Sequence, residues 1–214
     1  MTTLADIEGV ARASQLEQRR DRAREEQWWS PEALAGRLVE LSADRRGASL
    51  TFAFDLVRAC QAEGEPAAWV GLEGSGFYPP DAERFGVDLE ALPVVRAADA
   101  GGAVRAADRL VRSGGFGAVT VDLAGEEGAG EGLATPLQKR LQRHAEEREA
   151  AVLFLTRKRK GARSLGPLIS LRGTTRRERR GRDRFACEIE VSADDRRGPG
   201  GVHEEVYRGP PGLR

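Results

Sequence analysis

The chain has 214 residues, equal numbers of basic and acidic side chains (34 each), and 32% charged but only 6% aromatic residues. This is long enough for one domain with a sizeable aliphatic core beneath a heavily charged surface. Two cysteines without paired spacing exclude a disulfide framework or a zinc cluster, and no apolar run is long enough to span a bilayer, so a soluble, cytoplasmic, non-membrane protein is expected. The zero net charge hides an asymmetry: residues 64–135 carry 5 basic and 12 acidic side chains, whereas residues 151–184 carry 12 basic and 2 acidic. The basic stretch reads either as a face for an acidic partner such as nucleic acid or as a solvated Arg-rich surface.

Residues 2–27 read as a helix with a thin apolar stripe of Leu4, Ile7, Val10 and Ala11, followed by a charge-dense half. Such a helix is either solvated or held against another chain. Trp28-Trp29 precedes Ser30-Pro31, a helix start with Ser as N-cap and Pro at the first helical position. The tryptophan pair is either a packing plug or a partner anchor. A first segment of 1–30 and a core domain of 31–214 are expected.

The core opens with a buried strand over Gly36–Leu41, a turn, and an amphipathic helix over Leu50–Gln61. That strand–loop–helix order begins a nucleotide-binding α/β domain. A working phosphate loop reads G-x-x-x-x-G-K-[ST], with glycines that let backbone amides cradle phosphates, a lysine for the terminal phosphates and a hydroxyl for Mg²⁺. Here the eight positions from Ala43 to Leu50 read ADRRGASL: the glycine positions hold Ala43 and Ala48, Ser49 replaces the lysine and Leu50 the hydroxyl, with Gly47 just before. Catalytic, cofactor-binding and metal residues are therefore all expected to be absent.

Further aliphatic strands are predicted at Ala67–Glu73, Pro93–Arg96, Ala118–Leu123 and Ala151–Thr156. Helices are predicted at Ala100–Gly114, closed by Ser113-Gly114-Gly115, and at Pro136–Ala150. Gly74, Gly76 and Pro79-Pro80 predict a loop, and Gly125–Gly132 a flexible acidic one. Continuous aliphatic strands alternating with helices imply a mostly parallel sheet with helices on both faces. From about Pro167 the texture changes: strands at Leu168–Arg172, Phe185–Ser192 and Glu204–Tyr207 follow without helices. Cys187, Ile189 and Val191 alternate there with Glu188, Glu190 and Ser192, which predicts an antiparallel extension over about 167–214 with one wet face. His144 and His203 are isolated in sequence, and GLEGSG (71–76) lacks the strand-to-helix context of a nucleophile elbow, so no hydrolytic set is indicated.

The segments GRLVEL, ACQAEG, AAWVGLE, FGVDLEAL, ADRLVRSGG and AVTVDL resemble the bacterial recombinase RecA over roughly residues 36–156. The lost phosphate loop, the short length and the EVYRGPPGLR ending are most similar to the ImuA family of RecA-like accessory proteins; SulA, the inhibitor of cell division, is a more distant relative of similar architecture. The resemblance implies a RecA-like fold and a non-catalytic adaptor role in damage-induced mutagenesis and translesion synthesis, with RecA and an ImuB-type polymerase subunit as partners. Single-stranded DNA is a further candidate partner, as is weak self-association. A SulA-like inhibitor and a direct DNA-binding module are the alternatives.

The resemblance also places Glu73 at the position of the water-activating glutamate and Asp122 at that of the Mg²⁺-associated acid. Without the lysine and the amide cradle, two carboxylates repel phosphates, and both residues read as relics. The candidate DNA or partner contacts are Arg157, Lys158, Arg159, Lys160, Arg163, Arg176 and Arg177, and the candidate partner helix is that of Leu4, Ile7, Val10 and Ala11.

Overall fold

The computed structural model describes residues 28–43, 47–125 and 132–209. The expected N-terminal helix, most of the acidic loop and the tail from Pro210 lie outside the described residues. A short helix α1 (Pro31–Leu34) is capped by Ser30, whose hydroxyl accepts from the Ala33 amide, with Pro31 at the helix start as expected. The chain then runs through β1 (Leu38–Ala43), α2 (Ser49–Ala62), β2 (Ala67–Leu72), α3 (Pro79–Phe85) and β3 (Val94–Ala97). It continues with α4 (Ala100–Ser113), β4 (Ala118–Asp122), α5 (Thr135–Arg148) and β5 (Ala151–Arg157), and closes with β6 (Leu171–Arg179), β7 (Arg184–Asp194) and β8 (Val202–Arg208).

The strands form one eight-stranded sheet in the order β3-β2-β4-β5-β1-β6-β7-β8. Strands β1 to β6 pair in parallel, and β6–β7 and β7–β8 pair antiparallel. The α/β architecture with a mostly parallel sheet and antiparallel C-terminal strands is the one the aliphatic strand pattern implies.

Two local expectations change. Pro79-Pro80, read as part of a loop, open helix α3, because proline is tolerated in a first helical turn where the amide has no intrahelical partner. The antiparallel extension begins at the β6–β7 pair and not at Pro167: β6 lies parallel to β1, with Val39 beside Leu171 and Ser42 beside Thr174. Leu168 lies before that strand, its amide donating to the Gln138 side chain (3.3 Å).

The core has two layers, one on each face of the sheet. On one face Val39, Leu41, Leu153, Leu155 and Trp69 pack against Phe52, Leu56, Val57 and Cys60 of α2. On the other, Leu38, Val70, Val121, Val152 and Phe154 meet Ala103, Val104, Ala107 and Val111 of α4 and Leu141 and Ala145 of α5. Helix α4 stays against the sheet because its 3.6-residue period puts these small and β-branched residues on one side. Asp99 caps its start, accepting from the Gly102 amide (2.6 Å), and Gly114 ends it in the left-handed conformation (φ 72°).

The tryptophan pair divides. Trp29 is buried, donates its indole N–H to the Phe52 carbonyl (3.2 Å) and packs edge-on to the Phe52 ring. Trp28 is half-buried and stacks edge-on to His203 of β8, 5.1 Å between centroids. Cys187, Ile189 and Val191 of β7 join the α2 core, while Glu188, Glu190 and Ser192 face away from it, the alternation the sequence predicts.

Candidate functional site

The junction of β1 and α2 is the place where a nucleotide-binding α/β domain receives phosphates. Here it is filled from within. The Ala48 amide, at the N-terminus of α2, donates to the Thr175 hydroxyl of β6 (3.0 Å), and Thr175 also bonds the Ser49 hydroxyl (2.9 Å). Thr175 is 1% exposed and Ser49 8%. A backbone amide at a helix start is the group that would hold an anion; this one is already paired with a neutral hydroxyl.

Gly47 tightens the junction further. A Cβ at that position would stand 2.0 Å from the Ala43 Cβ and 3.0 Å from the Thr175 hydroxyl oxygen, so only glycine fits. Leu50, whose position would carry the metal-binding hydroxyl, turns its methyl groups toward the loop after β2: a Cβ on Gly76 would meet one of them at 3.0 Å. No charge in this set would attract a phosphate.

Asp122 and Glu73 have different surroundings. Asp122, at the C-terminal end of β4, is fully buried; it accepts from the Gly76 amide (3.1 Å) through one oxygen and from the Ala124 amide (3.1 Å) through the other. Burial pushes its pKa up, while the two amides and the charge of Arg96 pull it down without cancelling the burial effect. Its geometry ties two loops together. Glu73 is exposed and makes no hydrogen bond among the described residues.

The basic stretch does not act as one surface. Lys158 folds inward, its Nζ 2.6 Å from Glu40 Oε1, with a second bond to the Arg163 carbonyl (2.9 Å). Glu40 is 0% exposed in the middle of β1 and also accepts from Thr156 (3.1 Å), Ser164 (3.1 Å) and the Leu165 amide (2.9 Å). Arg172 Nε stands 3.6 Å from its second oxygen. An ionised carboxylate survives burial only when its oxygens are satisfied in this way. The cluster folds the connection after β5 back onto the sheet and withdraws Lys158 from solvent, so Lys158 is a structural residue and not a phosphate contact.

Lys160 pairs with Glu190 across the surface (2.5 Å) and holds its carboxyl below the usual range. Arg176 and Arg177 are neighbours on β6 and so point to opposite faces of the sheet. Arg177 lies over the Phe185 ring, 5.4 Å from its centroid. Arg157, Arg159 and Arg163 are exposed and make no ion pair among the described residues. Of the expected contact set these three and Arg176 remain unengaged among the described residues, while Lys158, Lys160 and Arg177 have partners of their own. The helix of Leu4, Ile7, Val10 and Ala11 lies outside the described residues.

Two polar networks went unnoticed in the sequence. Arg37, 3% exposed, donates to the Ser170 carbonyl (2.9 Å) and hydroxyl (3.1 Å), to Asp194 (2.6 Å) and to Asp195 (2.9 Å), which staples β7 to the start of β1. Burial alone would raise the Asp194 pKa, but the hydrogen bond and charge of Arg37 and the Arg196 and Arg197 amides hold it below the ordinary aspartate range. His144, isolated in sequence, pairs through Nδ1 with Asp108 of α4 (2.9 Å). A charged residue within a strongly apolar helix face or strand is the signal that could have flagged Asp108 and Glu40, because burial obliges each to find a partner.

No family model matches the chain. Similarity is found to protein RecA of Thioalkalivibrio sulfidiphilus, 34% identical over 87 residues, which is 41% of this chain and 25% of that protein. Protein RecA of Rubrobacter xylanophilus is 36% identical over 87 residues, with the same shares. The match spans about a quarter of the length of these relatives. With the sheet order and the helices on both faces, it supports a RecA-like relationship over part of the chain and a RecA-like α/β fold.

Proposed function

We propose that this protein is a non-catalytic, RecA-like adaptor in the response to DNA damage. On this reading it acts in damage-induced mutagenesis by translesion synthesis, as the ImuA resemblance implies, and binds RecA and an ImuB-type polymerase subunit in order to limit RecA filament activity. One observation carries the proposal: Thr175 takes the Ala48 amide at the start of α2, and Ser49 stands where a phosphate-binding lysine would be. A chain that keeps the sheet and helices of a nucleotide-driven filament subunit, with its phosphate position filled, is suited to contact such a filament without turnover. The test is capture of purified RecA and of the polymerase subunit by the immobilised full chain, with and without ATP. Nucleotide-independent capture of both is expected. Failure to retain either, or retention only with ATP bound to this chain, would overturn the reading.

A second reading is favoured by Arg157, Arg159 and Arg163, exposed and without an ion pair among the described residues: single-stranded DNA bound along the connection after β5. Alanine at all three should then flatten the slope of log affinity against log salt by about 0.7 per lost contact. An unchanged slope makes the run a solvated face.

A further inference from the structure

On the face of the sheet opposite α2, helices α4 and α5 leave a cleft of about 330 Å³ lined by Arg105, Arg109, Arg112, Arg140 and Asp108. We propose that this cleft is a binding site for the phosphate backbone of duplex nucleic acid, separate from the β1–α2 junction and from the connection after β5.

The arginines are placed by the same helix that builds the core. Val104, Ala107 and Val111 of α4 face the sheet, so Arg105, Arg109 and Arg112, at spacings of four and three, share the outer side. With a rise of about 1.5 Å per residue they cover about 10 Å along the helix. That matches about three steps of one DNA strand at 3.4 Å per phosphate. Arg140 closes the cleft from α5, held by Asp108 Oδ2 at 3.0 Å. Asp108 is 4% exposed, and its other oxygen is taken by His144 at 2.9 Å. The one carboxylate in the floor is therefore engaged on both sides, by Arg140 and by His144.

The remaining cations are available. Arg109 and Arg112 make no ion pair among the described residues, and Arg105 has only a long contact to Asp99 (3.8 Å) between exposed side chains. Guanidinium groups carry donors in a fixed fork that suits phosphate oxygens.

The lining also discriminates between polyanions. It contains no aromatic or large apolar side chain. Protein interfaces set arginine anchors beside buried aromatic ones such as Trp and Tyr, and this cleft offers the arginines alone. Proteins that hold unpaired strands use aromatic platforms for the bases, which are equally lacking here. What is left is sequence-independent contact to phosphates presented on a regular backbone.

The test is binding of the full chain to a labelled duplex of about 20 base pairs over a salt series, read by fluorescence anisotropy. The R105A/R109A/R112A variant should lose about 0.9 per contact, or about 2.7 in total, from the slope of log affinity against log salt. The R105K/R109K/R112K variant should keep most of that slope, and the melting temperature should be unchanged in both because these side chains are exposed. The R157A/R159A/R163A variant should keep its duplex affinity.

A wild-type chain that does not bind the duplex at 50 mM salt overturns the proposal, as does a triple-alanine variant with the wild-type slope. If that variant loses binding to poly-glutamate but not to the duplex, the cleft is a surface for acidic protein and the proposal falls. None of these outcomes bears on capture of RecA, so the adaptor reading stands or fails separately.

Discussion

The β1–α2 junction and the α4–α5 cleft are two places where an anion could be expected in this fold, and they are built in opposite ways. At the junction the polar groups face inward and satisfy one another: Ala48, Ser49 and Thr175 close a neutral hydrogen-bonded set at the helix start. In the cleft the buried Asp108 is satisfied by His144 and Arg140, and Arg109 and Arg112 remain unpaired among the described residues. A site that spends its donors internally is a structural joint. A site that keeps charged donors unspent, over a floor already satisfied, has free energy available for a ligand.

The comparison can be broken at its joints. The largest effect is expected from E40A, because Glu40 anchors Lys158, Ser164 and the Leu165 amide with no solvent to replace it. Removing one partner of a buried pair costs about 3–5 kcal/mol, so urea denaturation should show a loss of that order; a loss under 1 kcal/mol would mean that the cluster is solvated in solution. G47A comes next. Its Cβ would overlap Ala43, and overpacking of this kind costs about 1–3 kcal/mol, measurable in the same titration. T175V keeps the shape of the side chain but leaves the buried Ala48 amide without its acceptor, at a cost of about 1–3 kcal/mol. Equal stability of T175V and the parent would show that water takes the place of the hydroxyl.

The smallest effect is one of pH. Asp122 has a raised pKa in the folded chain, chiefly through burial. The unfolded chain therefore releases this proton first as pH rises, and unfolding is favoured progressively between the ordinary aspartate value of about 3.9 and the raised folded value. Stability from Asp122 should fall across that window and then level off. D122N should flatten this part of the stability–pH curve in denaturant titrations between pH 4 and 7; an unaltered curve would place the titration elsewhere.

Much of the fold was legible because its strands are short aliphatic runs and its helices carry readable ends, as with Ser30-Pro31 and Asp99 to Gly114. The extent and register of β6 were not: the expected strand ends at Arg172, whereas β6 runs from Leu171 to Arg179, and nothing local says that it lies parallel to β1. The filled junction was half legible. The absence of a lysine could be read directly from Ser49, but the plug comes from Thr175, 126 residues away in sequence. Lys158 was misread for the same reason: its charge is local, and the Glu40 carboxylate that absorbs it lies 118 residues earlier in an apolar strand. Charge runs show where cations are, and only tertiary structure shows which of them are already paired.

The central claim is that the start of α2 takes no nucleotide. The most direct measurement is the melting temperature of the full chain with MgATP from zero to 5 mM. A site with a dissociation constant of about 50 μM would be saturated about a hundredfold and would add about 2.7 kcal/mol, or roughly 5–10 °C for a domain of this size. The account predicts no saturable shift. A saturable rise of several degrees that T175V alters would contradict it, and would make the junction a working nucleotide site.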